Sequence, residues 1–254
     1  MHHFFVEPSQ VHEDEIEILG GDVNHIRNVL RMKAGEELVI NDGYGNEYGC
    51  RLHRFTDTAV CAKILEKRRV ASELPSRITL YQCLPKGDKM ELIIQKAVEL
   101  GVSAVIPVAS RRCVVKLDAK REGNKRKRWQ AVAESAAKQS GRALIPQVGP
   151  VAGFADALTQ AQELDLCLIP YECAGELLGD ARRSAMECTR ELLGSVQKGQ
   201  SIGIFIGPEG GFEKEEVEAA MGMGAQPVSL GKRILRTETA GLCILSVLMF
   251  WLEE

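Results

Sequence analysis

Ile202-Gly203-Ile204-Phe205-Ile206 runs without a break into Gly207-Pro208-Glu209-Gly210-Gly211, and residues 213–221 then show helical spacing with acidic residues in the first turn. A short β-branched apolar run, a glycine turn and an amphipathic stretch read as strand, turn and helix. Outward from this stretch the same alternation recurs. Residues 78–84, 104–108 and 164–169 are short apolar runs; Asp88 caps an amphipathic pattern that stops at Gly101, and a basic pattern ends near Gly141. Strands alternating with helices predict a parallel α/β sheet covered on both faces. Such sheets bind ligands beyond the carboxyl ends of their strands, where glycine lets backbone groups come close.

A second polar turn follows another strand end. Leu230-Gly231-Lys232-Arg233-Ile234-Leu235-Arg236-Thr237-Glu238-Thr239-Ala240 mixes three cations, a carboxylate and two hydroxyls with apolar Leu230, Ile234 and Leu235, which suits a pocket that is half apolar and half polar. Residues 239–252 are apolar almost all round, so that helix is either fully buried or packs one face on a second subunit.

The first 72 residues are different in kind. Short strands at 3–6, 16–19, 37–40, 48–55 and 59–65 surround one helical pattern with Asp22 as its N-cap and Val23, Ile26, Val29 and Leu30 facing the core. A Gly/Asn/Asp turn at residues 41–45 joins two of the strands. This predicts a small barrel, and the polar segment 67–76 marks its end.

The composition narrows the function by exclusion. The chain has 254 residues and a net charge of −3, an average that argues against a polyanion partner. That average hides a segment, Arg111 to Arg128, with nine basic and two acidic residues, a local charge of +7 against −10 for the rest. Eight cysteines show no C-x-x-C pair, so neither zinc nor a disulfide framework is signalled. No apolar run is long enough to cross a bilayer, and the protein is expected to be soluble and cytoplasmic. Gly199-Gln200-Ser201-Ile202-Gly203 matches G-x-S-x-G, but its serine precedes a strand and no histidine follows it. Walker and dinucleotide-binding glycine motifs are absent.

Gly207-Pro208-Glu209-Gly210-Gly211 followed by Leu230-Gly231-x-Arg233-Ile234-Leu235-Arg236-x-Glu238-Thr239-Ala240 resembles the two signature motifs of SPOUT-superfamily RNA methyltransferases. With His3-Phe4-Phe5-Val6, His25-Ile26-Arg27-Asn28-Val29-Leu30-Arg31, Gln95-Lys96-Ala97-Val98-Glu99-Leu100-Gly101-Val102 and Gln139-Ser140-Gly141-Arg142, the whole chain resembles the uridine-N3 methyltransferases of 16S ribosomal RNA. The resemblance implies a PUA-like β-barrel RNA-binding domain over residues 1–72. It also implies a SPOUT-type α/β domain over residues 73–254 whose C-terminal segment forms a trefoil knot. It implies a homodimer, no metal, and S-adenosylmethionine as cofactor, held by Gly207, Pro208, Glu209, Gly210, Leu230, Gly231, Ile234, Leu235 and Thr239. A loop at residues 170–172 adjoins that site.

Methyl transfer to N3 of a uracil needs loss of the N3 proton and a cation beside the anion that forms. Arg236 is the expected cation, with a structural salt bridge to Glu238 as its alternative role. Glu238 is the expected proton acceptor, with helix capping as its alternative. The expected contacts to 16S rRNA, within the small ribosomal subunit, are Lys125, Arg126, Lys127, Arg128 and Arg142, with Arg27 and Arg31 on one helical face of the barrel. Two rival functions remain open: methylation of a ribose 2′-oxygen, and RNA binding without catalysis.

Overall fold

In a computed structural model, which describes residues 2–69, 72–174 and 184–253, the chain folds as two units. The first comprises Met1–Glu73 together with Ala137–Ile145. Its five strands are β1 (His3–Phe5), β2 (Glu15–Leu19), β3 (Glu37–Asn41), β4 (Asn46–Phe55) and β5 (Ala59–Arg69). They form one sheet in the order β1-β3-β4-β5-β2, with β1 parallel to β3 and the other pairs antiparallel. Alternation places Ile16 and Ile18 of β2 in a core with Phe4, Leu38, Ile40, Leu52 and Val60. Register shifts at Gly49/Cys50 and Leu52/Arg54 interrupt the β4–β5 ladder, the kind of irregularity that bends a strand and tightens its twist. The β3–β4 turn is built by Asp42, whose Oδ1 accepts from the Tyr44 and Asn46 amides at 2.8 and 3.1 Å.

The helix of this unit departs from its predicted form. It begins after Gly20 as α1 (Gly21–Asn24), so Asp22 lies inside it and accepts from Lys138 Nζ at 3.1 Å instead of capping. A π-type turn over His25–Val29 follows, closed by Leu30 N–H to the His25 carbonyl. The wider turn breaks the 3.6-residue phase, leaving Ile26 buried but Val29 61% exposed. Arg31 lies past the helix end with φ +54°, so it shares no α-helical face with Arg27, whose guanidinium sits 5.8 Å from the Phe55 ring centre.

Arg142, an expected RNA contact, is 4% exposed in this unit. Its guanidinium is paired with Glu73, whose Oε1 also accepts from the amides of Ala143 and Leu144. A buried guanidinium committed to a carboxylate is unavailable to a phosphate, so this residue is structural.

The second unit comprises Leu74–Ala136 and Pro146–Glu254. Its strands are β6 (Arg77–Cys83), β7 (Ala104–Ala109), β8 (Gln147–Val148), β9 (Ala152–Gly153), β10 (Leu166–Pro170), β11 (Ser201–Ile206) and β12 (Gln226–Val228). All pairs are parallel, in the order β12-β10-β11-β6-β7-β8, with β9 added to β7. Helices α2 (Lys89–Glu99), α3 (Ala119–Gln139), α4 (Phe154–Ala161), α5 (Ala185–Gly194), α6 (Lys214–Gly222) and α7 (Thr237–Leu252) occupy the connections. On one sheet face Tyr81 and Phe205, paired across β6 and β11, stack at 4.4 Å above Leu158, Phe212 and Val217. Helices α2 and α7 pack on each other, burying Ile93, Ile94, Ile244, Leu245 and Leu248.

From β6 the sheet grows one way through β7 and β8 and the other way through β11 and β10, so the order reverses between β6 and β11. Open parallel sheets take their ligands at such a switch point, beyond the carboxyl ends of the two strands. Ser201 of the hydrolase-like pentapeptide starts β11 instead, donating its hydroxyl to Asp165 at 2.7 Å. Among the described residues no helix is long and apolar enough to cross a membrane.

Candidate active site

At the end of β11, Gly207 begins a turn closed by Gly211 N–H to the Pro208 carbonyl at 2.9 Å. A side chain at Gly207 would put its Cβ 3.2 Å from the backbone of Gly211, and Gly211 has φ +67°, so the tight reversal requires both glycines. The neighbouring strand end supplies a partner. Glu209 accepts from Lys86 N–H and from Lys89 Nζ, each at 3.0 Å. Burial pushes the Glu209 carboxyl upward, but the Lys89 hydrogen bond and the backbone N–H groups outweigh it and hold the group below its ordinary value.

Thr237, the first residue of α7, joins the two polar segments. It is 5% exposed; its hydroxyl donates to the Gly207 carbonyl at 2.6 Å and accepts from Gln82 Nε2 at 2.9 Å. Gln82 is the penultimate residue of β6, so the carboxyl ends of β6 and β11 and helix α7 meet through one buried hydroxyl. Glu238 lies next to it, with Oε2 3.4 Å from Lys89 Nζ. Gln82 Oε1 is a buried acceptor without a hydrogen bond, and, among the described residues, Glu238 Oε2 is buried against the Lys89 ammonium alone.

Two alternatives open in the sequence resolve here. Glu238 faces Lys89 and not Arg236, and the guanidinium of Arg236 has no ion-pair or hydrogen-bond partner among the described residues. Capping of α7 falls to the backbone, the Arg236 carbonyl accepting from Thr239 and Ala240 at 2.9 and 2.8 Å; Glu238 makes no capping bond.

The segment before α7 is open. Leu230 and Leu235 are half-buried, while Lys232, Arg233 and Arg236 are exposed and Ile234 is 85% exposed. Its anchor is upstream, where Ser229 N–H donates to the buried Thr189 hydroxyl of α5 at 2.9 Å, and Gly231 turns with φ +107°. After β10, Tyr171 N–H reaches the Val228 carbonyl at 3.0 Å and holds the loop at residues 170–172 against the end of β12.

The four consecutive cations of α3 have unlike environments. Arg128 pairs with Glu91 at 2.8 Å, and Arg126 Nε donates to the Val148 carbonyl at 3.1 Å. Lys125 Nζ lies 5.8 Å from the Trp129 ring centre. Lys127 is exposed with no partner among the described residues.

The positions that sequence reasoning passed over are Gln82, Lys86, Lys89 and Arg112, the last donating to the Gly210 carbonyl at 2.8 Å. A signal existed for two of them. Leu84-Pro85-Lys86-Gly87-Asp88-Lys89 is another basic, glycine-containing turn at a strand's carboxyl end.

A glycine turn, a cation without a partner among the described residues and a lysine-held carboxylate at the switch point of a parallel sheet define a ligand-binding α/β unit in a chain that also carries a β unit. Residues 72–249 match the RNA methyltransferase domain family and residues 18–65 the RNA methyltransferase PUA domain family, so the class is RNA methyltransferase. The chain is 37% identical to ribosomal RNA small subunit methyltransferase E of Bacillus subtilis, over 100% of this chain and 98% of that protein. It resembles the crystal structure of the Neisseria gonorrhoeae enzyme of that name bound to S-adenosylmethionine, with TM-score 0.83, 34% identity and coverage of 99% and 98%. A methyltransferase from Legionella pneumophila with bound S-adenosylmethionine gives TM-score 0.82 at 31% identity, with coverage of 98% and 97%. The chain belongs to the ribosomal RNA small subunit methyltransferase E family.

Proposed function

We propose that the chain transfers a methyl group from S-adenosylmethionine to N3 of a uridine in 16S rRNA, within the small ribosomal subunit in the cytoplasm. One observation carries this reading: an arginine without a partner among the described residues and a carboxylate held by a single lysine stand beside a side-chain-free turn at the switch point. The residues present suit the cofactor. Gly207, Pro208, Glu209 and Gly210 on one side and Leu230, Gly231, Ile234, Leu235 and Thr239 on the other offer backbone groups and apolar surface, and the unpartnered Gln82 Oε1 with the neighbouring Glu238 carboxylate suits a cationic ligand. When bound, S-adenosylmethionine supplies an electrophilic methyl group on a sulfonium.

The protein's own work is then positioning and charge. Arg236, paired with no carboxylate among the described residues, stabilises negative charge on the uracil carbonyls as N3 gives up its proton. Glu238 takes that proton, while Lys89 holds its carboxylate in place. The N3–methyl bond forms as the methyl–sulfur bond breaks, with no metal required.

Residues 1–72 act in this reading as a PUA-like RNA-binding domain and residues 73–254 as the methyltransferase domain. The knot follows from the family resemblance, as the path of the chain from β11 through β12 into α7. Helix α7 buries one face and exposes Val247, Phe250 and Trp251 on the other; a second subunit covers that apolar face in a homodimer. RNA phosphates meet Lys125 and Lys127, with Arg126 and Arg128 first releasing their present partners, and Arg27 and Arg31 contribute from the first unit.

Mass spectrometry of rRNA nucleosides from cells lacking the protein tests the reading. Loss of 3-methyluridine is the expected result; loss of a 2′-O-methyl nucleoside instead assigns the ribose reaction, and an unchanged nucleoside profile assigns RNA binding without catalysis.

A further inference from the structure

Beside the site lies a cavity of about 230 Å³ lined by Leu84, Pro85, Met90, Val115, Leu117 and Trp129, with Asp88 and Lys125 as its charged groups. Two stretches of chain form facing walls, the loop at residues 84–88 that follows β6 and the strap at residues 110–118 that leads from β7 to α3. Each wall is tied to the glycine turn, and to successive residues of it. Lys86 N–H donates to Glu209 at 3.0 Å, and Arg112 Nη1 donates to the Gly210 carbonyl at 2.8 Å. The floor is α3, where Trp129 is 3% exposed and Lys125 lies over its ring.

Volume and chemistry restrict the occupant. The space falls below the roughly 300–1,000 Å³ that sites for whole drug-sized ligands take, so a single flat ring system fits better than a complete nucleoside cofactor. Apolar walls with one acceptor and one donor cation suit a nucleobase, whose faces are apolar and whose edge carries both kinds of hydrogen-bonding group. Charge complements this: Lys116, Lys120 and Lys127 stand exposed on the strap and on α3, where a nucleotide's phosphate would need them.

We infer that this cavity receives one unstacked base of the substrate RNA, a neighbour of the methylated uridine, with Lys125 on its phosphate or edge. The inference rests on the reading of the chain as an rRNA methyltransferase. Sequence-specific RNA recognition generally works on splayed, unpaired bases of this kind.

Leu117→Trp fills the cavity. Methylation of small ribosomal subunits from cells lacking the protein is measured at varied subunit concentration, with cofactor affinity followed by calorimetry. The variant is expected to raise KM for subunits about tenfold, as loss of one seated base should, with kcat and cofactor affinity within about twofold of the parent. A folded variant with KM within about twofold of the parent overturns the inference. Should Leu117→Trp fail to fold, a photoreactive benzoylphenylalanine at position 115 replaces it: crosslinks within a few nucleotides of the modified uridine support the cavity's role, and crosslinks elsewhere or none overturn it. Subunits left unmethylated by the parent protein refute the functional reading itself, which separates that failure from the cavity's.

Discussion

The turn at residues 207–211 and the segment at residues 230–236 stand at neighbouring places and are built in opposite ways. In the first, the Gly207 carbonyl, the Gly210 carbonyl, the Gly211 amide and the Glu209 carboxylate all have partners, drawn from α7, the strap before α3, the turn itself, the loop after β6 and the α2 N-terminus. In the second, three cations and Ile234 face outward, and the guanidinium of Arg236 touches no described partner. The contrast teaches that one segment is scaffold and the other is held ready for something absent from the chain itself. A buried polar group left without a partner is costly, whereas an exposed one is not. Substitutions in the two segments should therefore fail in different currencies, stability in one and function in the other.

The sharpest break is expected at Arg236. Arg236→Ala should lower kcat by about 10²–10³, the loss typical of a donor that stabilises charge formed in the transition state, with the melting temperature unchanged and cofactor binding by calorimetry retained. Full activity in that variant refutes the catalytic assignment. Thr237, one residue on, should behave in the opposite manner. Thr237→Val keeps the shape but strands the Gly207 carbonyl and removes the acceptor of Gln82 Nε2. Denaturant unfolding should show a loss of about 1–3 kcal/mol, the cost of leaving buried polar groups unmade. A valine variant as stable as the parent would erase the distinction between the two segments.

The same contrast separates what the sequence discloses from what it hides. The parallel sheet was readable, because fully buried strands are apolar throughout and end in glycine or polar turns, as residues 202–211 do. So were the two candidate loops, each a polar turn at a strand end, while their pairing comes from the family resemblance. The partners were not readable: Lys89 meets Glu209 and Glu238, and Gln82 meets Thr237, across 120, 149 and 155 residues of chain, and only strand order creates such contacts. Arg142 shows the reverse error. It is an expected RNA contact from a segment that carries the family resemblance, yet the return of residues 137–145 to the first unit buries it on Glu73. Val29 fails for a local reason, since one π-type turn resets the helical phase and no residue type signals it. The eventual exposure of Ile234 was equally invisible, because an apolar residue in a loop is ordinarily assigned to a core.

Ile234 offers a finer test of the open segment. At 85% exposure it contributes little to folding, so Ile234→Ser should change unfolding free energy by no more than about 0.5 kcal/mol. If the side chain is covered when the cofactor binds, affinity should fall about fivefold, equivalent to about 1 kcal/mol of apolar burial lost. A serine variant with parental affinity leaves the segment's exposure unexplained by this ligand.

The smallest effect belongs to Lys89, and pH makes it distinctive. Glu209 is held below its ordinary carboxyl value in the folded protein, so its ionised form adds stability that is fully present above the unfolded carboxyl value and lost as pH falls through the depressed folded value. Lys89→Met removes the side-chain hydrogen bond responsible, while the Lys86 amide still donates to Glu209. Near neutral pH the variant should melt slightly below the parent, a small difference because the pair is partly exposed to solvent. As pH falls through the carboxylate range the two melting temperatures should converge, since the parent loses an interaction that the variant never had. Curves that stay parallel down to the acid limit would show that Lys89 supports this turn through the packing of its aliphatic stem, and that the charge on Glu209 takes no part in fixing the scaffold.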